Sequence, residues 1–259
     1  MINKILVVGA GNMGSWLVEA LCLDHEVGVY DVDKHQLKFF FNSHRFIKPE
    51  EITNFAPQLM INAVSLQHTI DAFEKIIPFL PTDCIISDIA SVKNGLHKYY
   101  LSKGMRFAST HPMFGPTFAN VRALSEQHAI IIKESDEKAA EFFRNFYKSF
   151  KLNIFEYTFE EHDQTIAYSL SIPFASTLVF ASCMIKQDAP GTTFKKHLNI
   201  AKGLMSENNY LLSEILFNPY TLEQVENIHE KLDMLIGMIK QRKTKELHTF
   251  FDELRKNIE

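Results

Sequence analysis

Lys4-Ile5-Leu6-Val7-Val8-Gly9-Ala10-Gly11-Asn12-Met13-Gly14-Ser15-Trp16-Leu17 is the stretch that decides the fold. After Lys4 comes an apolar run suited to a strand buried on both faces. A Gly-x-Gly-x-x-Gly loop follows, and then apolar residues at helical spacing, Trp16, Leu17, Ala20 and Leu21. Between a strand and a helix the first glycine permits a tight turn, the second lets the backbone approach a pyrophosphate, and the third lets helix and strand pack closely. The helix N-terminus adds free N–H groups and a partial positive charge. Gly9, Gly11, Asn12, Met13 and Gly14 are therefore candidate cofactor contacts. A second strand over 27–30 leads to Asp31, placed to accept hydrogen bonds from an adenine-ribose diol. A carboxylate there repels a 2′-phosphate. The next residues, Val32, Asp33 and Lys34, bring no arginine, and one lysine beside two aspartates is a poor phosphate site. The expected cofactor is NAD rather than NADP. Asn62-Ala63-Val64-Ser65 follows a strand over 59–61 and offers Val64 and Ser65 as a third contact. An ordinary strand-to-helix turn, with Asn62 or Ser65 as a cap, explains the same residues.

Outward from this unit, apolar runs at 84–86, 105–108, 128–133 and 153–155 alternate with helical patterns at 34–41, 69–80, about 92–101 and 136–150. Such alternation predicts βαβ units and a mostly parallel, doubly wound sheet. Past about Tyr157 the strand signal ends. Residues 158–185 form an apolar, helix-compatible stretch interrupted by Pro173. Pro190-Gly191 breaks the chain, and helical periodicity resumes over 194–216, 222–239 and 245–258. The expectation is an α/β Rossmann domain over 1–156 followed by an all-α helical domain over 157–259. The apolar helices of the second half suit a dimer interface, and a monomeric bundle carries the same pattern.

The 259 residues are 46% hydrophobic and 22% charged, a globular composition that excludes intrinsic disorder. A net charge of −4 gives no electrostatic case for nucleic acid or an anionic membrane. No run is expected to approach the ~20 apolar residues of a membrane span, and no leader peptide is expected. Cys22, Cys84 and Cys183 lie in apolar surroundings and read as reduced core residues, which places the protein in the cytoplasm. Neither HExxH nor CxxC is present, so no metal is expected.

Two segments carry candidate chemistry. Ser87-Asp88-Ile89-Ala90-Ser91-Val92-Lys93-Asn94 follows a strand and opens a helix, with Ser91 at the expected N-cap. Ser91 and Lys93 at the sheet edge that carries the glycine loop suit a substrate hydroxyl or carboxylate. Thr110-His111-Pro112-Met113-Phe114-Gly115-Pro116 sets a histidine between a strand and a rigid proline-bracketed loop. Imidazole exchanges a proton near neutral pH, and oxidation of an alcohol-like group by NAD needs such a base. Glu161-His162-Asp163 reads first as a helix cap.

These segments, in this order and spacing, with Gln164 and Ala167 after the last, resemble the prephenate/arogenate dehydrogenases of tyrosine biosynthesis. They look in particular like the prephenate dehydrogenase module of chorismate mutase fusions. The length matches that module, with no mutase segment expected before Met1. The resemblance implies a Rossmann domain, a helical domain that dimerises, and NAD-dependent oxidative decarboxylation of prephenate to 4-hydroxyphenylpyruvate. It also implies that His111 accepts the ring 4-hydroxyl proton and that Ser91 hydrogen-bonds that hydroxyl. Many relatives carry Ser-His-x-Pro-His where this chain reads Leu170-Ser171-Ile172-Pro173-Phe174. Many also carry a Thr-Arg-Ile-Ala setting where this chain reads Leu198-Asn199-Ile200-Ala201. Cations for the two substrate carboxylates are then sought at Lys93, Lys195, Lys196 and Lys202. Arogenate is the alternative substrate, and a pathway-enzyme partner is conceivable by analogy with the fusions. The glycine loop also looks like that of pyrroline-5-carboxylate reductases and β-hydroxyacid dehydrogenases, which lack the other two segments. A non-catalytic NAD-binding sensor or scaffold is the reading outside enzymes.

Overall fold

A computed structural model describes residues 2–114 and 124–258. The chain divides into two compact units, Met1–Asp163 and Gln164–Glu259.

The first unit runs β1 (Lys4–Val8), α1 (Asn12–Leu21), β2 (Glu26–Tyr30), β3 (His44–Phe46), α2 (Ile52–Phe55), β4 (Leu59–Asn62), α3 (Thr69–Ile76), β5 (Ile85–Asp88), α4 (Leu96–Lys103), β6 (Phe107–Pro112), β7 (His128–Ile132), α5 (Glu137–Ser149) and β8 (Asn153–Tyr157), then enters α6 (Phe159–Ile166). The eight strands form one sheet in the order β3-β2-β1-β4-β5-β6-β7-β8. All neighbours are parallel except β6 and β7. This is the mostly parallel, doubly wound sheet of a Rossmann domain. Strand order reverses between β1 and β4, which opens a crevice at their carboxyl ends. Alternate residues of β1 feed opposite faces: Ile5 and Val7 join Leu17, Phe143 and Tyr147, while Leu6 and Val8 join Phe73, Tyr100 and Phe159. A strand covered on both faces reads as an unbroken apolar run for this reason.

Several elements differ from the sequence reading. β3 is missed, being a three-residue strand whose His44 and Arg45 are exposed. The helix expected over 34–41 is a 3-10 turn, Gln36–Phe39. The Asp31 and Asp33 carboxylates accept from the Asp33 and His35 amides, local bonds that compete with a helix. The helix expected from about Val92 begins at Leu96, behind Gly95 in the left-handed region (φ 76°). Ser91 is therefore not its cap. β6 extends to Pro112, so His111 lies in a strand rather than in a loop after one. Phe107 to Ser109 pair with β5, and Thr110 to Pro112 then pair with antiparallel β7. A second partner carries the strand past the point where the parallel ladder ends. Gly115 and Pro116 lie outside the described residues.

The second unit is helical: a π turn over Ala167–Ser171, then α7 (Ile172–Ser182), α8 (Thr192–Leu204), α9 (Asn209–Leu216), α10 (Thr221–Lys240) and α11 (Thr244–Asn257). The expected 194–216 helix is two helices, because the Asn208 side chain accepts from the Leu211 amide (2.8 Å) and starts α9. Buried Ser171 and Thr221 hydroxyls hydrogen-bond each other (2.6 Å), and both reach the Ile215 carbonyl. Pro173 does not break its helix. It occupies the opening turn of α7, where its missing N–H costs little, and the π turn before it relieves the clash with the preceding carbonyls. The helical run is consequently continuous from Phe159 to Ser182, 24 residues with a mean hydropathy of 1.4 in its most apolar window. By length and composition alone this run is long and apolar enough to cross a bilayer, which corrects the expectation that none would be. Core and interface helices pass the same measure. Of the three cysteines only Cys84 is buried. Cys22 is half-buried and Cys183 is exposed. Their apolar neighbours in sequence did not make all three core residues.

Candidate active site

The carboxyl edge of the parallel strands gathers the loops that the sequence singled out. Gly9 follows β1, Asp31 follows β2, Ala63 to Ser65 follow β4, Ser91 lies three residues beyond β5, and His111 is the penultimate residue of β6. Gly9 has φ +97°, and a Cβ there would meet the Ala63 and Val64 backbone at 2.8 Å. A Cβ at Gly14 would overlap the Gly9 carbonyl oxygen. The protein's own packing thus dictates these two glycines. Gly11 differs: a Cβ there would meet nothing within 4 Å. Its bareness leaves space on the approach to the α1 N-terminus. That terminus has no side-chain cap and no acidic residue in its first turn, which suits an anionic ligand.

A cavity of about 490 Å³ opens at this point. Of the residues the sequence offers as cofactor contacts, Gly9, Gly11, Asp31, Val64 and Ser65 line it. Asn12, Met13 and Gly14 do not line it. They build the first turn of α1 behind the loop. The sequence reading missed the opposite wall, where α3 contributes Asp71, Ala72 and Lys75. The Lys75 ammonium lies 5.5 Å from the centre of the Tyr30 ring. Asp31 also holds its own loop: Oδ2 accepts from the Ala10 amide (2.6 Å) and Oδ1 from the Asp33 amide (2.7 Å). The turn after β4 is tied by Asn62, whose Nδ2 donates to the Thr69 carbonyl (2.8 Å) and whose Oδ1 accepts from Val64 (3.3 Å).

At the ends of β5 and β6 a second, buried cluster forms. His111 is buried, 6% exposed. Its Nδ1 lies 3.1 Å from Nε2 of His162, which is fully buried, and Nδ1 of His162 lies 3.1 Å from Oδ1 of Asp163. His162 can face inward because the helix start is capped by others. Thr158 Oγ1 accepts from the Glu161 amide (3.0 Å) and Glu161 Oε2 accepts from the Thr158 amide (2.8 Å). This is a reciprocal capping box. The cap expected of Glu161-His162-Asp163 is thus the work of Glu161 with Thr158. The Thr-x-x-Glu spacing is the signal that would have freed His162 for another role.

The sequence suggests Lys93 as a cation for the substrate, and the structure instead buries it. Its ammonium is ion-paired with the equally buried Asp88 and donates to the Thr110 carbonyl (2.7 Å). Asp88 also accepts from the Tyr100 hydroxyl (2.6 Å) and the Ala90 amide (2.9 Å), and Thr110 meets the Tyr147 hydroxyl at 2.8 Å. Burial raises the Tyr100 phenol well above its ordinary pKa, with Asp88 adding to the effect. Burial also lowers the Lys93 ammonium, and Asp88 opposes that shift. His111 sits well below the usual imidazole range, first because it is buried and then because His162 and Lys93 disfavour a positive charge beside them. Burial lowers His162 too, against the hydrogen bond to Asp163. An imidazole held neutral in this way keeps a lone pair able to take up a proton. Ser91 is half-buried in the bend between β5 and α4. Lys195, Lys196 and Lys202 lie exposed on α8, in the second unit. Among the described residues no group of His, Cys, Asp and Glu is arranged to hold a metal ion.

Residues 29–154 match the family model described as prephenate dehydrogenase, nucleotide-binding domain. The chain is 24% identical, over 277 aligned positions, to a prephenate dehydrogenase of Lactococcus lactis subsp. cremoris. That alignment covers 98% of this chain and 76% of that protein. The chain is thus similar, through its nucleotide-binding region and along most of its length, to the prephenate/arogenate dehydrogenases. A second relative, arogenate dehydrogenase 2, chloroplastic, of Arabidopsis thaliana, is 24% identical over 265 positions, covering 95% of this chain and 71% of that one. Among solved structures, the A. aeolicus prephenate dehydrogenase crystallised with hydroxyphenyl propionate and NAD+ superposes with a TM-score of 0.84. It is 16% identical, with 98% of this chain and 96% of that chain covered, and so shares the fold. The family-model match places a nucleotide-binding domain over residues 29–154 of the first unit. The bare Gly11 approach, the uncapped α1 terminus and the Asp31-lined cavity fit a dinucleotide.

Proposed function

We propose that the protein is a prephenate dehydrogenase, converting prephenate to 4-hydroxyphenylpyruvate with NAD. The observation that carries the proposal is the buried, neutral His111 at the sheet edge that carries the glycine loop and the Asp31 cavity. A nicotinamide dinucleotide bound there supplies the hydride acceptor. Gly9, Gly11 and the α1 terminus would hold its pyrophosphate, Asp31 would accept from the adenine-ribose diol, and Val64 and Ser65 would flank it. The Asp31 carboxylate favours NAD over NADP, since it repels a 2′-phosphate. His111 removes the proton of the ring 4-hydroxyl, and Ser91 hydrogen-bonds that hydroxyl. Loss of the ring carboxylate as CO₂ yields an aromatic product and makes the step strongly downhill. The protein's task is to position the two reactants and take one proton.

With Lys93 committed to Asp88, the exposed Lys195 and Lys202 are the proposed cations for the substrate carboxylates. The second unit is proposed as the substrate-binding and dimerising domain, and the cytoplasm as the location. The relative named for arogenate supports the alternative substrate, which differs from prephenate only in its side chain. The deciding experiment is NADH formation by purified protein with prephenate or with arogenate. Turnover with prephenate supports the proposal, and turnover with arogenate alone reassigns the substrate. Silence with both, alongside tight NAD binding, points to a non-catalytic sensor.

A further inference from the structure

The Asp163–His162–His111 chain has only one consistent assignment of hydrogens. An ionised carboxylate accepts and never donates. Facing Asp163 Oδ1 at 3.1 Å, His162 Nδ1 must therefore carry the hydrogen. A neutral imidazole has one N–H, so His162 Nε2 is left with a lone pair. That lone pair faces His111 Nδ1 at 3.1 Å, so His111 Nδ1 carries the hydrogen and donates to it. His111 Nε2 is then the bare nitrogen. Among the described residues it has no hydrogen-bond partner of its own. The opposite assignment would set a lone pair against the carboxylate and leave His111 Nε2 already protonated and useless as a base.

We infer that Asp163, acting through His162, fixes the tautomer of His111 whose Nε2 is free to take the substrate proton. His162 and Asp163 are thereby positioning residues for the proton transfer. The inference rests on the reading of His111 as the base. The step balances simply: the substrate O–H bond breaks, the proton joins His111 Nε2, and no other proton moves. His111 Nδ1–H and His162 Nδ1–H stay where they are, and the new imidazolium charge is stabilised by Asp163 through the polarised intervening ring. The charged and titratable groups that bear on the pair are Lys93, which disfavours the imidazolium, and Asp88 and Asp163, which favour it. In water the Nε2–H form is the tautomer a free histidine prefers, so the Nδ1–H form has to be imposed.

The test is long-range proton–nitrogen NMR on the full chain with ¹⁵N-labelled histidine, with His111 and His162 assigned by their loss in H111N and H162Q. The expected spectrum shows His111 protonated at Nδ1 and bare at Nε2. In His162→Leu, which offers no acceptor, His111 should shift toward the Nε2–H form, and kcat should fall ~10²-fold or more with little change in KM. In His162→Gln the amide oxygen occupies the acceptor position and should restore the Nδ1–H tautomer and much of the lost kcat. Wild-type His111 found as Nε2–H would overturn the inference. So would a His162→Leu protein, folded by circular dichroism, with an unchanged tautomer and an unchanged pH profile. The spectra need no substrate. If the tautomers are as expected and neither prephenate nor arogenate turns over, the relay stands and the substrate reading falls.

Discussion

In the proposed function a single imidazole, that of His111, concentrates the chemistry. Removing the base in His111→Asn should lower kcat ~10²–10⁴-fold, with the NAD dissociation constant nearly unchanged. Equal kcat in the variant would move the base elsewhere. The pH dependence follows from the direction of the His111 shift. Its pKa in the folded protein lies well below 6.5, so the bare-nitrogen form persists as the medium is acidified past 6.5. The acid limb of kcat/KM should fall at lower pH than an ordinary histidine would give. Stability has the matching sign: below 6.5 the unfolded chain binds protons that buried His111 and His162 refuse. Stability is therefore full above 6.5 and declines as pH drops toward the folded-state values. A pH series of denaturant midpoints reads this directly. Asp31→Ala should weaken NAD binding by about tenfold or more, since bonds to a charged acceptor contribute ~1.5–3 kcal/mol. Part of that loss would come from release of the Ala10 amide. Isothermal calorimetry measures it.

Among the elements, β5 and β6 are joined by more than their ladder. The Lys93 ammonium bonds Asp88, the last residue of β5, and the carbonyl of Thr110 on β6, while Tyr100 of α4 completes the coordination of Asp88. Lys93→Met would leave a buried carboxylate without its cation. Breaking a buried pair from one side typically costs ~3–5 kcal/mol, so urea unfolding of the variant should show a loss of that order. An unchanged midpoint would mean that Asp88 finds water instead. The same pair explains why α4 starts late. Val92 and Lys93 are buried beside the strand ends, and the helix begins only after Gly95 turns the chain out in the left-handed region.

For the molecule as a whole, the second unit leaves much apolar surface bare. No residue of α7 is buried, and Val179, Ile200, Phe217 and Leu222 are each more than half exposed. Exposed apolar area on this scale belongs against a partner surface. We expect a second copy to cover it, and light scattering on the purified protein should then give twice 29.8 kDa. A monomer at micromolar concentration would remove the support for dimerisation. Detergent-dependent solubility would turn attention to the 24-residue apolar run instead.

How much of this was legible depends on how local each signal is. The glycine loop, β1 and Asp31 could be read directly, because a turn that needs φ > 0, a strand buried on both faces and a carboxylate at a strand end each leave a mark within a few residues. The alternation of apolar runs and amphipathic stretches determined the doubly wound class in the same way. The edge strand β3, the length of β6 and the late start of α4 depended on partners distant in sequence, and local pattern misread all three. So did the fate of two charged or titratable residues. Lys93 reads as a cation for the substrate until Asp88 and Thr110 are brought around it. His162 reads as part of a cap until Thr158 and Glu161 take that duty and the ring turns toward His111, 51 residues away in the chain. The sequence by itself determined the elements and the nucleotide loop, since these follow from short-range sterics and periodicity. Only the tertiary structure decided which polar side chains are buried together, because a desolvated charge is tolerated only where long-range packing supplies its partner.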